Sequence, residues 1–246
     1  MALLIDRPHD LLASDGVSIP AFYVRDERDA SDIGLVWFHG YSSSKTRAVG
    51  LALSMAENGS PTLVPDLRGH GEHPAPLDEK VVDDAQAVVR WMRTRHKKVV
   101  AIGASLGGLL AGISAADFVI ALSPPITTSS SPEGRYMLRL GSHEVREAQP
   151  DILRQLLGVL TEKWQKIDPQ RLLLVYGSGE PREIGKSIEE WASARGAKCV
   201  CVKERQLPDI EGPPGLVSYL PQWLNHTNLS SIAVSNDLIA EALRRI

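Results

Sequence analysis

Residues 99–111 read Val-Val-Ala-Ile-Gly-Ala-Ser-Leu-Gly-Gly-Leu-Leu-Ala, and this stretch decides the fold that the sequence predicts. Four apolar residues, 99–102, predict a buried strand, and the apolar residues at the end of the stretch predict a helix. Ser105 lies between the two, with Gly103 and Gly107 on either side. We therefore predict a strand that turns sharply into a helix, with the hydroxyl of Ser105 at the turn.

The two glycines indicate what kind of turn this is. A sharp strand-to-helix turn forces Ser105 into a strained backbone conformation, and side chains at 103 and 107 would collide with neighbouring elements. The amino terminus of the following helix offers free N–H groups where negative charge develops on an attacked carbonyl. Ser105 is therefore a candidate nucleophile. The plainer alternative is a tight turn in which Ser105 only caps the helix.

Outward from this turn, short apolar segments alternate with longer helical patterns. The alternation predicts an α/β fold in which a mostly parallel central sheet is flanked by helices, and residues 1–246 form one domain. The predicted strands are 17–24, 34–38, 62–65, 98–102, 118–122, 172–176 and 198–202. The predicted helices are 45–58, 81–95, 106–116, 150–164 and 182–195.

Two segments depart from the alternation. Residues 123–170 contain one predicted helix and are too long for an ordinary connection inside a compact domain, so we expect a lid or insertion. Residues 227–246 are expected to form a helical extension, because apolar residues recur at helical spacing after Ser235. That helix either packs on the domain or meets a second copy of the chain in a homodimer.

Composition excludes several classes of function. A formal net charge of −3 gives no field that would attract nucleic acid or an anionic membrane, so neither is expected as a partner. The two cysteines, Cys199 and Cys201, are too few for a disulfide scaffold or a cysteine-rich metal site. Residues 1–10 lack the apolar stretch of a leader peptide, and no apolar run approaches the roughly 20 residues that span a bilayer. We expect a cytoplasmic protein without a metal or cofactor.

Two further motifs follow predicted strands: His39-Gly40-Tyr41 and Asp66-Leu67-Arg68-Gly69-His70-Gly71. Together with the Gly-x-Ser-x-Gly turn, they make residues 17–225 resemble the α/β-hydrolase superfamily. The resemblance implies that Ser105 is the nucleophile and that the backbone N–H groups of Tyr41 and Leu106 form the oxyanion hole. It also implies that the histidines of the two motifs pack the loops rather than act as catalysts.

The acid of a catalytic triad follows the nucleophile in this superfamily, and a histidine follows the acid. Glu180 comes just after the predicted strand 172–176, where the resemblance places the acid. The alternative is that Glu180 interacts with the dipole of the helix that begins next. Asp168 is a weaker candidate, because it precedes the strand and would lie at the opposite edge of the sheet.

The histidine of the triad is where the resemblance fails. The loop at 203–215, between the last predicted strand and a predicted helix at 216–224, contains no histidine. His226 comes at the far end of that helix, about 15 Å along its axis, and is interpreted more simply as a favourable cation there. His143 lies in the predicted lid, which can fold over Ser105, so His143 is our candidate base.

Two functions are consistent with this pattern. The first is a serine hydrolase that cleaves an ester, thioester or related acyl bond of a small molecule, with Ser105, Glu180 and His143 as its triad. Without a base Ser105 keeps the weak nucleophilicity of an alcohol, since base assistance is typically worth about 10²–10⁴ in rate. The second is a catalytically degenerate α/β-hydrolase-fold protein that binds a small apolar ligand beside Ser105 or serves in an assembly.

Overall fold

The structure is a computed structural model that describes residues 2–127 and 132–202 of the chain. Within these ranges the strands are β1 (Leu3–Asp6), β2 (Ala21–Asp26), β3 (Ile33–Phe38), β4 (Thr62–Pro65), β5 (Lys98–Ala104), β6 (Phe118–Leu122), β7 (Leu172–Gly177) and β8 (Lys198–Val202). The helices are α1 (Lys45–Glu57), α2 (Val81–Arg93), α3 (Leu106–Ile113), α4 (Pro132–Gly141), α5 (Ile152–Trp164) and α6 (Arg182–Arg195). The predicted helix 216–224 and the predicted extension 227–246 lie outside the described residues.

The strands form one sheet in the order β1-β2-β4-β3-β5-β6-β7-β8. From β4 to β8 all neighbouring strands are parallel, whereas β1 pairs with β2 and β2 with β4 in antiparallel fashion. The prediction of a mostly parallel sheet flanked by helices is confirmed.

Strand β3 shows why the sheet is recognisable from the sequence. Its side chains alternate between two apolar clusters, one on each face of the sheet. Leu35 and Trp37 pack on the face covered by α1, and Val36 and Phe38 pack on the face covered by α2 and α3. A strand buried on both faces requires apolar residues at every position, so it is an uninterrupted apolar run in the sequence.

The first predicted strand begins later than expected. A strand was predicted from residue 17, but β2 begins at Ala21. The preceding residues form a separate turn in which Leu12 pairs with Ser18 and Gly16 has a φ of 79°. Leu11, Ala13 and Ile19 of this turn are buried in the core, whereas Leu12 is exposed, so local hydropathy does not distinguish the turn from the strand that follows.

The connection between β6 and β7 contains two helices where the sequence analysis predicted one. The additional helix, α4, begins at Pro132, a residue that the first turn of a helix tolerates. Leu138 on this helix is partly buried against the core, whereas Tyr136 and Leu140 are exposed. Gly134 and the serines before Pro132 made the segment resemble a loop. Strand β1, with only four residues, was also not predicted.

None of the described helices is both long and apolar enough to cross a membrane.

Candidate active site

The carboxyl ends of β3 and β5 lie side by side at the point where the order of strands in the sheet reverses. From β3 the chain continues to β4 on one side, and later to β5 on the other. The Cα atoms of Phe38 and Gly103 are partners at these two ends. In open α/β sheets, diverging loops at such a point leave a crevice in which ligands bind. Ser105 and the loop 39–41 both begin at this crevice.

Ser105 has the strained turn that the sequence predicts. Its φ is 53° and its ψ is −119°, a conformation that residues with a side chain rarely adopt, and α3 begins at the next residue. A Cβ on Gly103 would lie 2.1 Å from the carbonyl oxygen of Gly107, and a Cβ on Gly107 would lie 2.1 Å from the carbonyl oxygen of Phe38. Both positions therefore require glycine, because the backbones approach too closely for any side chain.

The loop after β3 passes directly beside this turn. A Cβ on Gly40 would lie 3.5 Å from the Cβ of Ser105. Nδ1 of His39 donates to the carbonyl oxygen of Gly40 over 2.8 Å, and the N–H of Ser43 donates to the same oxygen over 3.3 Å. Because the peptide is planar and trans, the N–H of Tyr41 points away from that carbonyl. Two hydrogen bonds thus set the direction of the Tyr41 amide.

Two buried histidines hold this loop, and both nitrogens of each ring are engaged. Nε2 of His39 accepts a hydrogen bond from the N–H of Leu67 over 3.1 Å. His70 donates through Nδ1 to the carbonyl of Arg68 over 2.8 Å and accepts at Nε2 from the N–H of Ser42 over 3.2 Å. Burial, with the nearby His70, lowers the pKa of His39 to about 3, and burial lowers the pKa of His70 as well. Both rings are neutral at pH 7 and act as loop-packing side chains.

The Asp66 loop is tied to the start of α1. The carboxylate of Asp66 accepts from the backbone N–H of Lys45 over 2.8 Å, lies 2.5 Å from its Nζ, and accepts from the N–H of Glu72 over 2.8 Å. The side chain of Lys45 is only 1 % exposed. A Cβ on Gly71, where φ is 49°, would lie 2.4 Å from the same carboxylate. The sequence analysis missed Lys45, because a lysine at a helix start carries no local sign of burial.

Glu180 lies beyond the carboxyl end of β7, at the edge of the sheet that also carries Ser105. Its backbone N–H donates to the carbonyl of Gly177 over 3.1 Å. Its carboxylate accepts a short hydrogen bond from the hydroxyl of Ser123. Ser123 follows β6, is 2 % exposed and has a φ of 45°. The sequence analysis missed Ser123, and its position directly after an apolar strand was the only signal for it.

The connection between β6 and β7 contacts the loop after β3. The hydroxyl of Tyr41 donates to the carboxylate of Glu147 over 2.8 Å. Arg47 donates to both carboxylate oxygens of Glu144 over 3.0 and 2.9 Å, and to the carbonyl of Ser42 over 3.0 Å. Two pairs of side chains therefore join this connection to the loop after β3 and to α1.

His143 belongs to the same connection but projects outward. It lies in a 3₁₀ turn at Ser142–Glu144, and its side chain is 75 % exposed. Its Nε2 is 3.9 Å from Oε1 of Glu144. To act on Ser105, the ring would have to rotate away from solvent toward the crevice, so the role of His143 as base stays a prediction.

The remaining candidates lie elsewhere. The carboxylate of Asp168 accepts from the N–H of Gln170 over 2.9 Å in the 3₁₀ turn that precedes β7, at the opposite edge of the sheet from Ser105. His226 and the loop 203–215 lie outside the described residues. In the described part of the chain, no group of three or more His, Cys, Asp or Glu side chains could hold a metal ion.

Comparisons with known proteins agree with this architecture. An esterase from Pyrococcus furiosus has 18 % identity and a TM-score of 0.64, with 99 % of this chain and 92 % of that chain covered. A protein described as a predicted CIB-like hydrolase from Thermoplasma acidophilum has 17 % identity and a TM-score of 0.57, with 100 % of both chains covered. An esterase from Pyrobaculum calidifontis has 15 % identity and a TM-score of 0.59, with 82 % of this chain and 75 % of that chain covered.

Sequence comparison gives the family. No curated protein matches the chain, and at the identities of the solved structures the likeness shows the fold alone. A family model described as the alpha/beta hydrolase family, however, matches residues 35–225, which is more than half of the chain. The chain belongs to the alpha/beta hydrolase family.

Proposed function

We propose that this protein is a serine hydrolase that cleaves an ester, thioester or related acyl bond of a small molecule through Ser105. The observation that carries the proposal is the strained turn at Ser105, held beside Gly40 and at the amino terminus of α3. Non-glycine residues keep such a backbone only where the surrounding structure imposes it, and such strain clusters at functional sites. A serine that merely capped a helix would not require it.

In the proposed reaction, the base takes the hydroxyl proton of Ser105 as Oγ attacks the substrate carbonyl, and a tetrahedral intermediate forms. The backbone N–H groups of Tyr41 and Leu106 donate to its oxyanion. The intermediate then collapses to an acyl-serine as the alcohol or thiol leaves with the proton, and water hydrolyses the acyl-serine and restores the hydroxyl. Leu106 is the first residue of α3, so its amide has no partner within the helix and the helix dipole favours negative charge there. The hydrogen bond from the His39 ring to the carbonyl of Gly40 supports the Tyr41 N–H as the other donor, because it orients this amide before the substrate binds.

Glu180 is the proposed acid, and two candidates are considered for the base. The position of Glu180 after β7, at the carboxyl edge of the sheet, supports its role. His143 is one candidate for the base. A group that the sequence analysis did not identify is the other. His39 and His70 are poor candidates, because backbone groups already occupy both nitrogens of each ring.

The connection 123–170 is proposed as a lid that shapes the acyl pocket. Its support is the set of contacts that it makes with the residues beside Ser105, from Glu147 to Tyr41 and from Glu144 to Arg47. A lid in this place would exclude water from the acyl group and from the oxyanion donors. The descriptions of the fold neighbours as esterases favour an ester over other acyl bonds.

The test is covalent labelling with a fluorophosphonate, which reacts with an activated serine. We expect a mass increase on the peptide that contains Ser105, no labelling of Ser105→Ala, and turnover of a short p-nitrophenyl ester by the unmodified protein. His143→Ala, measured in the same way, separates the two candidates for the base. A loss of about 10²-fold or more would identify His143, and an unchanged rate would exclude it.

The second candidate function is a binding protein that keeps the fold without the triad. The observation that favours it is the exposure of His143, together with the full engagement of His39 and His70 by backbone groups. If the fluorophosphonate leaves Ser105 unlabelled and no ester is turned over, the hydrolase proposal is wrong and this candidate takes its place.

A further inference from the structure

Three serines with a positive φ lie beyond neighbouring strands of the sheet. They are Ser42 after β3, Ser105 after β5 and Ser123 after β6, with φ of 60°, 53° and 45°. Among the described non-glycine residues, only Asp151 at the start of α5 shares this property. The proposed function uses the loop that contains Ser42 and the turn that contains Ser105. It gives no role to Ser123.

Ser123 is held from both sides at the carboxyl edge. The residue before it, Leu122, accepts a hydrogen bond at its carbonyl from the N–H of Ser105 over 2.9 Å. The N–H of Ser123 donates to the carbonyl of Val175 in β7 over 2.8 Å. Its hydroxyl donates to the carboxylate of Glu180. Leu122 and the strained, buried Ser123 together therefore bridge the turn of the candidate nucleophile and the strand of the candidate acid.

We propose that Ser123 is the positioning residue for the acid of the site. Its hydroxyl holds the carboxylate of Glu180 at the crevice, facing the group that takes the proton from Ser105. This inference rests on the proposed function, because it accepts Glu180 as the acid. Hydrogen bonds to an ionised carboxylate are short and directional, and at a site that is 2 % exposed water does not readily replace a lost donor.

The alternative is that Glu180 only interacts with the dipole of α6, which begins at Arg182. In that case the hydroxyl of Ser123 would stabilise the loop and would not affect the reactivity of Ser105. The two interpretations differ in one measurable respect. If Ser123 positions the acid, substitutions of Ser123 and of Glu180 change the reactivity of Ser105 in an interdependent way; otherwise they do not.

The experiment is a double-mutant cycle on the second-order rate of fluorophosphonate labelling at Ser105. We expect Ser123→Ala and Glu180→Gln each to lower the rate roughly ten- to hundredfold, since the first removes the hydrogen bond to the carboxylate and the second removes the negative charge of the acid. The double variant should be no slower than the slower single variant, because Ser123 acts through Glu180. Losses that multiply in the double variant would overturn the inference, and so would an unchanged rate in either single variant.

A glycine variant separates the hydroxyl from the backbone strain. Ser123→Gly removes the hydroxyl and also relieves the positive φ, so it is expected to fold even if Ser123→Ala does not. We expect it to label as slowly as Ser123→Ala. A Ser123→Gly variant that labels at the wild-type rate would show that the hydroxyl is not needed and would overturn the inference.

Two matched controls complete the experiment. Ser114→Ala removes another buried hydroxyl, which donates to the carbonyl of Ala111 over 2.7 Å at the far end of α3. Asp151→Gly relieves the fourth positive φ among the described non-glycine residues. Both should label at the wild-type rate, and a slowing as large as that of Ser123→Ala would overturn the inference. If wild-type Ser105 is not labelled at all, the proposed function fails. Normal wild-type labelling with no effect of Ser123→Ala overturns only this inference.

Discussion

The Nδ1 atom of His39 lies 2.8 Å from the carbonyl oxygen of Gly40, its neighbour in the chain. The opposite nitrogen of the ring accepts from the N–H of Leu67, so the tautomer and the orientation of the ring are both determined. The Gly40 carbonyl shares its peptide plane with the N–H of Tyr41. A buried neutral imidazole therefore sets the direction of an amide that we propose as an oxyanion donor.

Replacing His39 should reduce the rate of reaction more than the binding of substrate. We expect His39→Gln to lower kcat for a short p-nitrophenyl ester roughly ten- to hundredfold, with a smaller change in KM. The reason is that loss of one oxyanion donor costs about 10²–10³ in kcat, and misdirecting a donor costs part of that.

His96→Gln is the control for this experiment. His96 is also buried, and its ring contacts the carbonyl of Ser31 over 2.8 Å and the hydroxyl of Tyr23 over 2.9 Å near the amino end of β5. Its replacement should lower stability without lowering kcat. A folded His39→Gln variant with wild-type kcat would contradict the assignment of the Tyr41 amide.

A pair of glycine substitutions should have opposite effects on stability. Gly107→Ala places a Cβ 2.1 Å from the carbonyl oxygen of Phe38, so we expect the free energy of unfolding to fall by about 3 kcal/mol or more. Gly158→Ala, within α5, meets no atom within 4 Å and should raise it by about 0.5–1 kcal/mol. Urea unfolding followed by circular dichroism measures both. Equal effects of the two substitutions would argue against the close packing of the Ser105 turn.

The buried lysine of the Asp66 loop should contribute strongly to stability. Nζ of Lys45 lies 2.5 Å from Asp66 and 2.9 Å from Glu72, and Lys45→Met leaves the Asp66 carboxylate buried without its cation. We expect a loss of about 3–5 kcal/mol in the free energy of unfolding. The double variant with Asp66→Asn should lose less than the sum of the single losses, because the unpaired charge is gone.

An exposed ion pair provides the comparison. Nζ of Lys97 lies 2.9 Å from Asp32, but the two side chains are 79 % and 65 % exposed. Lys97→Met should therefore change the free energy of unfolding by less than about 1 kcal/mol. If Lys45→Met and Lys97→Met lowered the free energy of unfolding equally, Lys45 would be more hydrated than the structure shows.

Stability should decrease as the pH falls below about 6.5. In the unfolded chain His39 has its ordinary pKa of 6.5, whereas burial lowers it to about 3 in the folded protein. Between these values the unfolded chain binds a proton that the folded protein does not. The contribution of His39 to the free energy of unfolding is therefore complete above pH 6.5 and is lost as the pH falls toward 3. The expected slope is about 1.4 kcal/mol per pH unit for each such histidine.

Urea unfolding at pH 7.5, 6.0 and 5.0 measures this dependence. His39→Gln should show a shallower decrease than the wild type, and His70 should add to the slope in the same direction, since burial lowers its pKa too. Asp15, whose pKa is lowered to about 2 by Arg68 and Lys80 against the opposing effect of burial, titrates below its ordinary value of 3.8. Asp15 therefore does not contribute to the pH dependence of stability between pH 5 and 6.5. Identical slopes for wild type and His39→Gln would contradict the burial of that ring.

The sequence analysis was most successful where a residue's role depends on its near neighbours. The turn at Ser105 was predicted because the glycines that permit it lie two positions away on either side. Helix α6, predicted to end at residue 195, does so because Gly196 directly after it has a φ of 67°. Helix α4 was missed because serines, prolines and a glycine around it favour a loop when tertiary contacts are not known.

The sequence by itself determined the order of the described strands and helices other than β1 and α4, the class of the sheet and the place of Ser105 at a turn. Each of these follows from the period of apolar residues or from a close approach of backbones that only glycine permits. Only the tertiary structure decided that Ser123 bonds to Glu180, that Lys45 is buried and that His39 orients an amide. Ser123 and Glu180, Lys45 and Asp66, and the His39 ring and the N–H of Leu67 that fixes its orientation are distant in the chain, and a side chain's partner across such a distance depends on how the sheet brings strand ends and loops together.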